Sequence, residues 1–238
     1  MSDRPAMRIH VAGVGKMGLP MARHLRAAGH DVSFDDPDPS RVPLAREAGL
    51  REGTMADAQV VLSSLPHDAA LLQVADRVAA QAPRGALWID TSTVSPTASA
   101  RAAAVVNAAG IDCLRCTVSG NNHMAEAARL TVMASGPRDA WALAEPLLSS
   151  FGPSRFYLGE GEQSRLMKLV VNLMIAQTSA MLAEALTLGR KGGLDWQAMW
   201  EVLTTSAVAS PIVKAKSAQL SQRDFTPTFT VEQMIKDL

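Results

Sequence analysis

Three glycines near the N-terminus carry the first chemical signal. Val11-Ala12-Gly13-Val14-Gly15-Lys16-Met17-Gly18 closes an apolar run, Arg8–Val14, and opens a helix-period segment, Met17–Ala28. In a G-x-G-x-x-G loop the first glycine permits a tight turn and the second lets the main chain approach a ligand. The third lets helix and strand pack closely. The helix N-terminus that follows offers unpaired N–H groups and the positive end of its dipole to an anion. The next apolar run, Asp31–Asp35, is followed by Asp36, 18 residues after Gly18. That is close to the spacing of a carboxylate that binds the hydroxyls of an adenosine ribose. Strand, glycine loop, helix and acid together read as a dinucleotide-binding βαβ unit over residues 7–36. Gly13, Val14, Gly15, Lys16, Met17, Gly18 and Asp36 are its candidate cofactor contacts. Asp36-Pro37-Asp38 has no adjacent cation, Arg41 being the nearest, so an adenosine 2′-phosphate would meet carboxylates with nothing to neutralise it. NAD is favoured over NADP on that ground.

A second signal lies in the middle of the chain. Lys168 and Asn172 are four residues apart, hence on one face of a helix, and Leu166, Met167, Leu169, Val170 and Val171 limit the solvation of the lysine. A lysine whose pKa is lowered by burial or a neighbouring cation transfers protons. The spacing alone fits a snorkelling lysine beside a surface asparagine equally well. Cys113 and Cys116 form a CxxC, but no second cysteine pair completes a four-ligand zinc site. They sit in a strand-like run and not at a helix start, where redox thiols have lowered pKa values. A structural role is expected for both, and no metal site.

These residues need elements to position them. Strand-like runs at Arg8–Val14, Asp31–Asp35, Gln59–Leu65, Ala86–Thr91, Ile111–Leu114, Leu130–Ala134 and Arg155–Leu158 alternate with helical segments. The helical segments are Met17–Ala28, Ser40–Glu47, Ala69–Ala80, Pro96–Ala108 and Arg138–Ser149. This alternation predicts a doubly wound α/β domain of Rossmann type over residues 1–162, its sheet largely parallel with helices on both faces. From Gln163 to Lys191 one proline-free helix is expected, stopped by Gly192-Gly193, with shorter helices at Asp195–Thr204 and Pro211–Leu220. Residues 163–238 are therefore expected to form a second, all-helical domain.

The totals exclude several functions. The 238 residues carry 23 basic and 23 acidic side chains, a formal charge of zero. That argues against binding nucleic acid through a basic excess. The N-terminus lacks a signal-peptide core. The apolar stretch Leu166–Leu188 is interrupted by Lys168, Asn172, Gln177 and Glu184, so it reads as a poor membrane span and a cytoplasmic protein is expected.

Several segments, in order, resemble the β-hydroxyacid dehydrogenase family, which includes 3-hydroxyisobutyrate dehydrogenase and tartronate semialdehyde reductase. Gly13–Ala22 is similar to that family's cofactor loop, and Asp90-Thr91-Ser92-Thr93-Val94-Ser95-Pro96 to its D-x-S-T-x-x-P turn. Thr117-Val118-Ser119-Gly120 resembles P-V-S-G-G, the segment from Gly161 to Asn172 its lysine- and asparagine-bearing helix, and Phe225–Leu238 its terminal K-D-L segment. The resemblance implies an NAD(P)-dependent oxidoreductase acting on a small 3-hydroxy acid or the matching 3-oxo acid or semialdehyde. It implies Lys168 as general acid/base and Asn172 as the residue orienting substrate. Ser119, Gly120 and Lys236 join Asn172 as substrate-binding residues, and Leu65, Pro66, Ser92, Thr93 and Lys236 line the cofactor. It also implies a homodimer or homotetramer if the helical domain is competent. An imine reductase-like enzyme of the same fold, and a dinucleotide-binding module without turnover, are the rival readings.

The chain departs from the family at Asn121-Asn122-His123, where glycine and small residues are usual, so each of the three is a candidate to enter the pocket; a surface position is the more ordinary one for such a histidine. Val171 replaces the first asparagine of the family's pair, and the related 6-phosphogluconate dehydrogenases have histidine there, which argues against that sugar-phosphate chemistry. The chain also ends at Leu238, where the family usually continues through further helices, and the helical domain is accordingly expected to be incomplete.

Overall fold

A computed structural model describes residues 5–227 and 229–238. It divides into two compact units, residues 1–168 and 169–238.

The first unit is built on an eight-stranded sheet in the order β3-β2-β1-β4-β5-β6-β7-β8. The strands are β1 (Arg8–Ala12), β2 (Asp31–Asp35), β3 (Arg51–Glu52), β4 (Val60–Ser63), β5 (Leu87–Asp90), β6 (Asp112–Ser119), β7 (Thr131–Ser135) and β8 (Ser154–Tyr157). All neighbours are parallel except β6 and β7. The strand order runs away from β1 on both sides, which is the arrangement that leaves a ligand crevice at the carboxyl ends of the strands. Six helices connect the strands: α1 (Gly18–Ala27), α2 (Arg41–Glu47), α3 (Asp68–Gln81), α4 (Pro96–Ala108), α5 (Asn122–Glu126) and α6 (Arg138–Leu148).

The central strands are buried almost throughout and mostly apolar because both faces are covered. One core cluster holds Ile9, Val11, Leu62, Ile89 and Leu114; the other, on the opposite face, holds Val61, Trp88 and Cys113. Alternate residues of a strand point to opposite faces, so each cluster takes every second residue. Full burial of each large side chain stabilises the fold by roughly 1.5–3 kcal/mol. Trp88 also needs a partner for its indole N–H, and donates it to Ser63 Oγ at 2.9 Å.

Helix α7 (Gln163–Lys191) begins in the first unit and continues into the second. The second unit further contains α8 (Trp196–Thr205), α9 (Pro211–Leu220) and α10 (Val231–Asp237). Its small core is Leu182, Leu186, Met199 and Trp200, with Trp196, Leu203 and Leu220 against it. Among the described residues α7 is the helix long and apolar enough to cross a membrane, although its sequence reads as a poor span. Its first turns, however, are bonded to the sheet through the polar side chains of Ser164, Arg165 and Lys168.

Four elements differ from expectation, the first being the two-residue strand β3 at Arg51–Glu52, where no strand is expected. β6 runs on to Ser119, past the predicted end at Leu114, because its polar residues find partners. Arg115 pairs with Glu162, and Thr117 Oγ1 donates to the Ser164 carbonyl at 3.0 Å. The short helix α5 and the terminal α10 are additional. Asn121 caps α5, its side chain accepting from Met124 N at 3.0 Å, and α10 begins in a capping box between Thr230 and Gln233.

Candidate active site

The glycine loop lies at the carboxyl end of β1. Gly13 has φ +92°, and a Cβ there would stand 2.6 Å from the Ser64 carbonyl oxygen. At Gly18 an added Cβ would overlap the Gly13 carbonyl. Both glycines are thus required by the chain itself. Gly15 is different: a Cβ there meets nothing within 4 Å, and its φ is not positive. The fold places no demand on Gly15, and the open space over it suits the backbone approach of a pyrophosphate. Helix α1, which starts at Gly18, has no side-chain cap and no acid in its first turn. Leu19 N already donates to the Gly15 carbonyl at 3.1 Å and Pro20 has no N–H, so what the helix start offers an anion is chiefly the positive end of its dipole. The residues present therefore fit a dinucleotide.

Asp36 closes the loop from the side. Its Oδ2 accepts from Val14 N at 2.8 Å and its Oδ1 from Asp38 N at 2.9 Å. Asp35, one residue earlier, is ion-paired with Arg77 and bonded to the buried His10, whose Nε2 lies 3.0 Å from Asp35 Oδ1. The other ring nitrogen of His10 lies 3.0 Å from Ser33 Oγ. Burial works to raise the Asp35 carboxyl, and the hydrogen bonds from His10 and Arg77 outweigh it, holding the group below the usual carboxylate range. Arg77 comes from α3, 42 residues away in sequence, so it is not legible beside the acid. Arg41, the nearest cation in sequence, pairs with Asp38 at 3.5 Å.

Ser92 and Thr93 follow the end of β5. Ser92 is 3% exposed; its hydroxyl donates to Asp90 Oδ1 at 2.7 Å and accepts from Leu65 N at 2.8 Å. It therefore fixes the Leu65-Pro66 turn. Thr93 is half-buried on the following turn. Asp90 itself, fully buried, also accepts from Ser63 Oγ at 2.5 Å and pairs with Arg165 at 2.5 Å. Removing one partner of such a pair costs about 3–5 kcal/mol. Sequence reasoning missed Arg165 because 75 residues separate it from Asp90.

The structure brings Lys168 to the end of β6. Its Nζ donates to the Val118 carbonyl at 2.8 Å, beside Ser119 and Gly120. Gly120 has φ +142°, and a Cβ there would stand 2.7 Å from the Leu130 side chain, so this turn too is set by the backbone. Of the three departures that follow, Asn121 is a helix cap, and His123 is largely exposed and 3.7 Å from Glu126.

In the second unit Asn172 is buried, and its Nδ2 donates to the Asp237 carbonyl at 3.3 Å. Lys236 is ion-paired with Asp237.

The two cysteines are buried on opposite faces of the sheet, one in each core cluster. Burial pushes both thiols up to about 12, so neither is a thiolate. No group of three metal-ligating side chains occurs among the described residues.

A doubly wound sheet with a glycine loop open over Gly15 and an acid after β2 is the arrangement of a dinucleotide-binding domain. Comparison with known proteins narrows the class. A family model described as the NAD binding domain of 6-phosphogluconate dehydrogenase matches residues 8–159. A second, described as NAD-binding of NADP-dependent 3-hydroxyisobutyrate dehydrogenase, matches residues 161–238. The 3-hydroxyisobutyrate dehydrogenase of Pseudomonas aeruginosa is 34% identical over 203 residues, covering 82% of this chain and 68% of the relative. The 2-(hydroxymethyl)glutarate dehydrogenase of Eubacterium barkeri is 30% identical over 98% of this chain and 80% of its own length. The solved structure of Mycobacterium tuberculosis 3-hydroxyisobutyrate dehydrogenase with L-serine superimposes with a TM-score of 0.90. It is 28% identical, with 98% of this chain and 84% of that one covered. The chain belongs to the β-hydroxyacid dehydrogenase family and is an NAD(P)-dependent oxidoreductase.

Proposed function

We propose that this protein transfers hydride between NAD and a small 3-hydroxy acid, or runs the reverse reduction of the 3-oxo acid or semialdehyde, with Lys168 moving the proton. The observation that carries the reading is Lys168 Nζ held 2.8 Å from the Val118 carbonyl, at the turn that also presents Ser119 and Gly120. The substrate class is supported by relatives whose names share one skeleton. 3-Hydroxyisobutyrate, 2-(hydroxymethyl)glutarate and L-serine each carry a hydroxymethyl group on the carbon that bears a carboxylate.

The nicotinamide cofactor supplies the hydride acceptor. The chain's own work is to hold the hydroxy acid and take its proton. In oxidation the C–H bond breaks with its electron pair leaving as hydride, while the hydroxyl proton passes to a neutral Lys168 amine and the C=O bond forms. Reduction reverses each transfer, the ammonium returning the proton. Ser119 and Gly120, with a hydroxyl and a main-chain N–H, suit the substrate carboxylate. Asn172 and Lys236 are the second unit's candidates for substrate and cofactor contacts.

NAD is favoured over NADP because the Asp36 side chain borders the loop, and Arg77, which pairs with the neighbouring Asp35, is already neutralised. Exposed apolar residues on α7, Leu173, Met174, Met181 and Leu188, support a homodimer or homotetramer.

The test is turnover. With NAD and a panel of 3-hydroxyisobutyrate, glycerate, 3-hydroxypropionate and threonate, NADH should form on at least one member. Cofactor binding without turnover on any member would leave a dinucleotide-binding module in place of this enzyme.

A further inference from the structure

We infer that Arg165 is a positioning residue for the transfer step: it locks the turn of α7 that carries Lys168 to the turn after β5 that carries Thr93. The inference rests on the role given to Lys168 above. Arg165 is 2% exposed, and three of its nitrogens reach three different segments. Nη2 donates to Asp90 Oδ2 at 2.5 Å, Nη1 to the Ser92 carbonyl at 2.6 Å, and Nε to Ser99 Oγ of α4 at 3.0 Å. The network continues outward. Asp90 accepts from the Ser92 hydroxyl, and that hydroxyl oxygen accepts from Leu65 N. One guanidinium thereby connects the first turn of α7, the Ser92-Thr93 turn and the Leu65-Pro66 turn.

Stability alone explains such a group poorly, because a buried ion pair can often be replaced by apolar residues of similar volume without loss. Direction explains it better. The guanidinium is a planar fork whose donors cannot reorient independently, so satisfying three acceptors at once fixes the helix in both rotation and translation. Lys168 lies three residues further on, on the same side of α7, and its reach to the Val118 carbonyl depends on that setting. A misplacement of about 1 Å in a reacting group can cost on the order of 100-fold in rate.

The test compares the parent with Arg165→Lys, Arg165→Gln and Ser99→Ala. Cofactor affinity is read by NADH fluorescence, kcat and KM by turnover, and the hydride step by the primary deuterium isotope effect on a 3-deuterated hydroxy acid. Amide hydrogen exchange reports on residues 90–94 and 164–168. At saturating NAD both Arg165 variants should lose on the order of 100-fold in kcat, over and above any loss of cofactor affinity from loosening the Ser92-Thr93 and Leu65-Pro66 turns. The isotope effect on kcat should rise, and exchange should quicken in both segments together. An unchanged kcat per cofactor-binding molecule, or unchanged exchange in either segment, would overturn the inference. Should the Arg165 variants not fold, Ser99→Ala removes only the Nε partner, and unchanged kcat and exchange in that variant would overturn the inference equally. If the parent itself binds NADH but turns over no 3-hydroxy acid, the assigned reaction fails separately, and the exchange measurement decides whether Arg165 joins the two turns.

Discussion

Replacing glycine by alanine at positions 15 and 18 separates what the chain requires from what its ligand requires. At Gly18 the new methyl would overlap the Gly13 carbonyl, which is backbone at the end of a buried strand and cannot swing away. Such overpacking costs about 1–3 kcal/mol, and each kcal/mol lowers the melting temperature of a protein of this size by about 2–4 °C. Gly18→Ala should therefore melt several degrees below the parent. At Gly15 the methyl enters open space on a backbone without positive φ. There the unfolded chain loses more freedom than the folded one, so stability should hold or rise by about 0.4–1 kcal/mol. Cofactor binding should behave in the opposite way. The methyl of Gly15→Ala stands where the pyrophosphate must meet main-chain N–H groups, and losing one charge-assisted hydrogen bond costs about 1.5–3 kcal/mol. That corresponds to roughly 10- to 150-fold in Kd. NADH fluorescence titration and thermal melting of the two variants are sufficient. A Gly15→Ala protein that binds NADH as tightly as the parent would refute the placement of the pyrophosphate.

Two further outcomes follow from charge and burial. Asp36→Ala should narrow the proposed preference for NAD over NADP, since unit charges about 5 Å apart repel by about 3 kcal/mol at an effective dielectric near 20, and less where solvent screens them. Kd values for both reduced cofactors in both proteins check this, and an unaltered ratio would show that Asp36 does not face the 2′ position. The thiols of Cys113 and Cys116 have ordinary values of 9.0 and are raised to about 12 in the folded chain. Below pH 9 both states hold these protons. Between pH 9 and 12 the unfolded chain releases them and the folded chain does not, so stability falls by about 1.4 kcal/mol per pH unit for each thiol. Denaturant unfolding across that range should show the slope shrink in the Cys113→Ala, Cys116→Ala double variant, and an unchanged slope would place the loss elsewhere.

The local parts of this site are legible in the sequence, and the long-range parts are not. Gly13, Gly15, Gly18 and Asp36 announce themselves because spacing along one βαβ unit fixes their geometry. Strand β2, helix α4 and helix α7 begin and end where periodicity and caps say they should, Ser95 and Pro96 marking the start of α4. The expected β6 is too short because Arg115 and Thr117 look wrong for a buried strand until their partners, 47 residues away, are known. The same limit hides Arg77 beside Asp35 and Arg165 beside Asp90. A signal for α10 is present, however: Thr230-Val231-Glu232-Gln233 is a capping box. Lys168 is an intermediate case, since spacing gives a helix face and family resemblance gives a role, but only the fold sets its amine on the Val118 carbonyl.

The central claim is that Lys168 moves the proton in a 3-hydroxy acid oxidation. It is tested most directly by Lys168→Ala, assayed for NADH formation on the best substrate of the panel and for NADH binding in the same preparation. In that variant kcat should fall by about 10²- to 10⁴-fold with cofactor affinity preserved. A variant that binds NADH and turns over as fast as the parent would contradict the claim.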